Sequence, residues 1–197
     1  RRIEEAVAAT DGQVALYDGQ PILAVFHSSS AGKTAGAGDV WSGDVPYLRS
    51  VDSPEGEETV PNYYSAAAFS AAEAKSLLAK AHPELTLQGG PDRWFGAVER
   101  DDSGRVRTVE VCGTALRGVE LRRIFALRSA CFTIDASADK VTFRVTGYGH
   151  GVGMSQYGAN ELARQGKTWQ EILTWYYADV TVGPAPETVQ TPESVVN

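Results

Sequence analysis

Two cysteines and three histidines are all that 197 residues offer of the thiol and imidazole groups that hold metals. Two thiols cannot build a disulfide framework, no His-Glu-x-x-His occurs, and His27, His82 and His150 lie far apart, so a zinc hydrolase would need long-range assembly. Cys112 and Cys131 also lack metal-ligand spacing. Both fall on predicted strands, which leaves two states open: a disulfide in an exported protein, or two buried thiols. No apolar run approaches the ~20 residues of a membrane span, and the opening Arg1-Arg2-Ile3-Glu4-Glu5 is no ordinary signal peptide, so the sequence as it stands reads as soluble. Basic residues are short too, with 18 Lys+Arg against 25 Asp+Glu and a formal charge of -7. No nucleic-acid partner is expected, because phosphate affinity rests on clustered cations. The one dense basic cluster, Arg117, Arg122, Arg123 and Arg128, reads as a solvated helix face.

What is present is globular. A hydrophobic share of 43% with 22% charged residues supports a core that buries roughly 70% of the unfolded chain's surface. Residues 13–17 and 21–26 flank Asp18-Gly19, a turn pair that tolerates positive φ, and predict a hairpin. Residues 27–62 read as a structured loop anchored by Val40, Trp41, Tyr47 and Leu48. Ser70-Ala-Ala-Glu73 and Thr168-Trp-Gln-Glu171 have capping-box spacing and predict helices to about Ala81 and over a stripe of Trp169, Ile172, Leu173, Tyr176 and Tyr177. Strands are expected at 94–100, 105–112, 131–134 and 141–146, and a helix at 118–127. The fold class is therefore α+β: a mixed or antiparallel sheet core with several helices. Residues 1–182 form the domain, residues from about 53 to 127 form an inserted second lobe that makes a groove with the main body, and residues 183–197 form a tail.

Two stretches stand apart. In Gly147-Tyr148-Gly149-His150-Gly151-Val152-Gly153-Met154-Ser155-Gln156-Tyr157-Gly158, glycine at alternate positions lets backbone or ligand approach closely. Ser155 is placed to cap a helix running to about Gln165, whose first N–H groups would suit a ligand oxygen. The other stretch is His27-Ser28-Ser29-Ser30-Ala31-Gly32-Lys33-Thr34, leaving a strand end. A phosphate loop fails there, because its first glycine would stand at position 27. A nucleophile elbow at Ser155 fails as well, because Tyr157 occupies the second glycine position.

Those stretches also carry a resemblance. Phe26 through Thr34, then Asp39-Val40-Trp41, Pro46-Tyr47-Leu48-Arg49-Ser50-Val51, Leu127-Arg128-Ser129 and Gly147 through Asn160 resemble, in that order, the stage II sporulation protein D and amidase-enhancer family. The resemblance implies a peptidoglycan lytic transglycosylase outside the cytoplasm, cutting between N-acetylmuramic acid and N-acetylglucosamine on strands without stem peptides and closing a 1,6-anhydro ring. One Glu serves such a reaction as acid and then base. The family's Glu lies ahead of the part that Arg1 to Val7 matches, so no residue of this chain is expected to be catalytic, and Glu4 and Glu5 read as solvated carboxylates. An anchor or export signal would likewise precede Arg1.

The groove expected from the resemblance is lined by His27, Ser28, Lys33, Asp39, Trp41, His150, Gln156 and Tyr157. Some relatives bind zinc through a His followed by Cys; here Ser28, Ser29 and Ser30 offer no thiolate, and neither metal nor cofactor is expected. The implied partners are glycan strands and a cell-wall amidase. The second function is a non-catalytic glycan-binding module that stimulates that amidase; a third, outside the family, is an extracellular hydrolase with His150 as base.

Overall fold

A computed structural model describes residues 1–41 and 43–187. The chain begins with α1 (Arg2–Ala9), a helix that buries none of its residues and whose Glu4 and Glu5 lie in solvent, paired with Arg1. The hairpin of β1 (Gln13–Tyr17) and β2 (Gln20–Pro21) turns through Asp18 and Gly19 at φ 48 and 74, as the turn pair predicts. Its second strand is shorter than expected. Pro21 cannot donate to a ladder, the Leu23 N–H donates to Tyr47 Oη, and β3 (Phe26–His27) leaves the hairpin for another partner.

After the short α2 (Ala37–Val40) and the anchored loop, the chain enters β4 (Tyr64–Ser70), which sequence patterning missed because an Ala-rich run reads as helix. Its exposure alternates strictly along the strand, so the pleat decides the conformation. The α3 helix (Ala71–Ala81) starts at Ser70, whose hydroxyl accepts from the Glu73 N–H while the Glu73 carboxylate accepts from the Ser70 N–H. Such a cap contributes about 1 kcal/mol. The strands β5 (Phe95–Arg100), β6 (Val106–Val111) and β7 (Thr114–Arg117) form a meander that leads into α4 (Gly118–Ile124). The strands β8 (Phe132–Ala136) and β9 (Lys140–Thr146) then pair, and β4 joins the other edge of β9.

The last part carries β10 (Met154–Ser155), α5 (Gln156–Arg164), α6 (Trp169–Tyr176) and β11 (Thr181–Pro184). The second capping box forms at Thr168 and Glu171, and Ile172, Tyr176 and Tyr177 are buried. The tail expected over 183–197 begins too early: Gly183 and Pro184 close β11 against Val14 and Gln13. Residues 188–197 of that tail lie outside the described residues.

The fold is thus α+β, with three antiparallel sheets and one parallel pair, β3 with β10, among the described residues. Hydrophobic residues gather in two cores. The first draws on residues 67 to 145, with Phe143 ringed by Phe69, Phe95, Phe125 and Phe132 at centroid distances of 4.5 to 6.2 Å. The second joins Ala35, Val40, Trp41 and Leu48 to Val152, Leu162, Tyr176 and Tyr177, so the two ends of the chain meet there.

Candidate functional site

The first loop and the glycine-rich loop are zipped together along their backbones. Met154 pairs with Phe26 and Ser155 with His27, Ser29 bridges Tyr148, and Ala35 bridges Val152. The alternating glycines make this contact possible. Gly147, Gly149, Gly151 and Gly153 all have positive φ, and an added Cβ would strike the Ser29 carbonyl, His27 Cβ, the Arg105 guanidinium and the Val25 carbonyl, respectively. Their freedom serves protein contacts on every one of those four sides.

Both histidines of the loops are held neutral in defined tautomers. The Val152 N–H donates to His150 Nδ1 at 3.1 Å, so His150 Nε2 carries the proton and donates to the Phe26 carbonyl at 3.0 Å. His27 Nδ1 donates to the Val152 carbonyl at 3.2 Å, which leaves Nε2 to accept from Ser30 Oγ at 2.7 Å. Burial, with His150 and Arg105 nearby, lowers the His27 pKa to about 3, and burial lowers that of His150 too. Neither ring has a free lone pair. A base role for His150 therefore fails on geometry, and the Ser30–His27 pair, with Ser30 fully buried, cannot meet a substrate.

Beneath the loops lies a carboxylate that the sequence did not flag. Glu55 is 4% exposed, and its Oε1 accepts from the Ser30 N–H at 2.6 Å and from Ser155 Oγ at 2.5 Å. Ser155 in turn caps α5, accepting from the Gly158 N–H, and Tyr176 Oη meets Ser53 Oγ at 2.7 Å close by. Where a ligand oxygen is expected at this helix start, the protein takes up the N–H groups itself: Tyr157 donates to the Ser28 carbonyl and Gly158 to Ser155 Oγ, which Glu55 holds from beneath. Pro54-Glu55-Gly56 sits in an irregular loop with no pattern to announce it. Arg105, read from sequence only as the start of a strand, is 3% exposed, donates to the Gly149 carbonyl at 3.0 Å, and has its pKa lowered to about 10 by burial.

The eight expected groove residues separate. Trp41 and His150, with ring centroids 5.5 Å apart, line one surface groove of about 420 Å³, facing Arg117, Arg122 and Arg123. His27 lies buried behind His150, its ring centroid 5.7 Å away. The Ser28 carbonyl accepts from the Tyr157 N–H and Ser155 Oγ. Lys33 pairs with Asp52 at 3.5 Å, Asp39 pairs with Arg107, and Gln156 is exposed on the first turn of α5. A second hollow, of about 540 Å³, shares Val119, Arg122 and Arg123 with the first and extends it toward Arg128 and Tyr148. A separate hollow of about 550 Å³ opens over Tyr64, Arg100, Cys131 and Arg144, away from both motifs. Cys112 and Cys131 are free thiols, and no group of three metal-ligating side chains exists among the described residues.

Over 94% of its length the chain is 37% identical to stage II sporulation protein D of Bacillus subtilis, and over the same share 36% identical to that of Bacillus amyloliquefaciens. The chain is a homologue of stage II sporulation protein D. It spans 52% of each of these sporulation proteins, about half their length. A more distant relative, the amidase enhancer of Bacillus subtilis, is 25% identical over 90% of the chain and 32% of its own length. No protein-family model matches. Among the described residues no helix is long and apolar enough to cross a membrane.

Proposed function

We propose that this stage II sporulation protein D homologue is the glycan-holding body of a peptidoglycan lytic transglycosylase that acts outside the cytoplasm on strands stripped of stem peptides. The observation that carries the reading is the open groove flanked by Trp41 and His150 beside the paired motif loops. Aromatic rings in a groove wall suit the CH surfaces of sugars.

The groove supports positioning, with proton transfer supplied elsewhere. Both ring nitrogens of His27 and of His150 are engaged, and Glu120, which lines the groove, accepts from His82 Nε2 at 3.0 Å. Glu55 is sealed from solvent. In the proposed reaction the acid is a Glu preceding Arg1 in the gene product. It protonates the leaving glycosidic oxygen as the bond to the muramyl C1 breaks, then accepts the proton of the muramyl 6-hydroxyl as that oxygen bonds to C1. No water is consumed. The likeness to an amidase enhancer favours a second reading, a silent glycan-binding module that speeds an amidase.

Peptide-free glycan is incubated with this chain and with the full product of its gene, and the new ends are identified by mass spectrometry. Anhydro ends from the full product are expected. Reducing ends carrying oxygen from labelled water would contradict transglycosylation, and binding without cleavage, together with faster amidase digestion, would favour the second reading.

A further inference from the structure

Glu55 belongs to neither motif loop, yet one of its oxygens joins the two. Oε1 accepts from the Ser30 N–H of the first loop at 2.6 Å and from Ser155 Oγ of the second at 2.5 Å. Ser30, fully buried, has a single hydroxyl hydrogen to give, and gives it to His27 Nε2 at 2.7 Å. From there each group donates to the next in one direction: His27 Nδ1 to the Val152 carbonyl, the Val152 N–H to His150 Nδ1, and His150 Nε2 to the Phe26 carbonyl. Bonds aligned in this way polarise and orient one another. The imidazole at the end of the series is the one that lines the groove, with its centroid 5.5 Å from that of Trp41, at the start of the trough that runs toward Tyr148.

We infer that Glu55 is a positioning residue for this groove: by fixing Ser30 it sets the tautomer of His27 and, through Val152, the ring plane of His150 beside Trp41. The consequence for binding rests on the glycan reading above. Without the Ser30 hydroxyl, the proton of His27 is free to move to Nε2, which would turn the Nδ1 lone pair toward the Val152 carbonyl and release the peptide unit that holds His150. The second branch from Glu55 ends elsewhere. Ser155 Oγ accepts from the Gly158 N–H and so anchors the start of α5, away from either imidazole.

The tautomers are read from long-range proton–nitrogen spectra of the isotope-labelled chain near neutral pH, and glycan affinity from titration calorimetry with peptide-free strands. In the unaltered chain His27 is expected to carry its proton on Nδ1 and His150 on Nε2. Glu55→Ala and Ser30→Ala should each turn both rings into mixtures of tautomers and weaken glycan binding about tenfold, the equivalent of one lost hydrogen bond. Glu55→Gln, which keeps the accepting oxygen, should restore both readouts. Ser155→Ala cuts the other branch; it should lower the unfolding midpoint through the lost cap yet leave both tautomers in place. Circular dichroism checks folding, and Ser30→Ala carries the same reading where Glu55→Ala does not fold. Tautomers unmoved by the loss of Ser30 or Glu55, or moved equally by the loss of Ser155, would overturn the inference. Tautomers that move while glycan affinity stays the same would overturn the role in the groove. No glycan binding by the unaltered chain would overturn the glycan reading, and the tautomers would still decide whether Glu55 sets the two rings.

Discussion

Gly153→Ala is expected to lower the free energy of unfolding by roughly 2–5 kcal/mol, read as a shift of the urea midpoint at constant m-value. Two costs combine. Gly153 has φ +70, where a side chain strains the backbone, and its Cβ would lie 2.1 Å from the Val25 carbonyl oxygen. That oxygen cannot retreat cheaply, because it accepts from the Met154 N–H at 3.2 Å and from Tyr177 Oη at 2.8 Å. Gly166→Ala provides the control: φ is +91 there, but nothing lies within 4 Å of the added carbon, so only the strain of about 1–2 kcal/mol remains. Equal losses at the two positions would show that the close approach of the loops contributes nothing.

Acid should destabilise the fold through His27. Its pKa falls from 6.5 to about 3 on folding, so between these values the unfolded chain binds more protons than the folded one. Stability contributed by the neutral ring is complete above pH 6.5 and is lost as pH falls toward 3, by about 3 kcal/mol at pH 4.5, two units below the ordinary value. His150 is lowered as well and acts in the same direction. His27→Gln should be less stable at pH 7 yet lose correspondingly less on acidification. A variant with the unaltered pH slope would mean that His27 takes up its proton without unfolding.

Much of the scaffold was legible in short-range pattern. Both capping boxes, the Asp18-Gly19 turn and the α6 stripe depend on residues within one or two turns of each other, and each formed as the spacing requires. The β4 strand was not legible, because its conformation is decided by β9, whose paired residues lie 70 to 82 positions away in the chain. The site divides along the same line. Trp41 and His150 could be chosen from motif stretches, and the fold brings them to one groove. Glu55 and Arg105 act through partners 25 to 100 residues distant, which no local pattern discloses. Lys33 and Asp39 carry charge that their own neighbours Asp52 and Arg107 take up. The arginines beside the groove look, in sequence, like any solvated helix face; in three dimensions Arg117, Arg122 and Arg123 line the groove opposite Trp41 and His150.

The central claim is that a glycan strand lies along the trough between Trp41 and Tyr148. Its most direct test is a nuclear magnetic resonance titration of the isotope-labelled chain with peptide-free glycan. The account predicts shifts concentrated at Trp41, His150, Tyr148 and the Arg122–Arg123 turn, with Trp94 and Trp175 unmoved. Shifts concentrated instead at Tyr64, Arg100 and Arg144, around the separate 550 Å³ hollow, would contradict it.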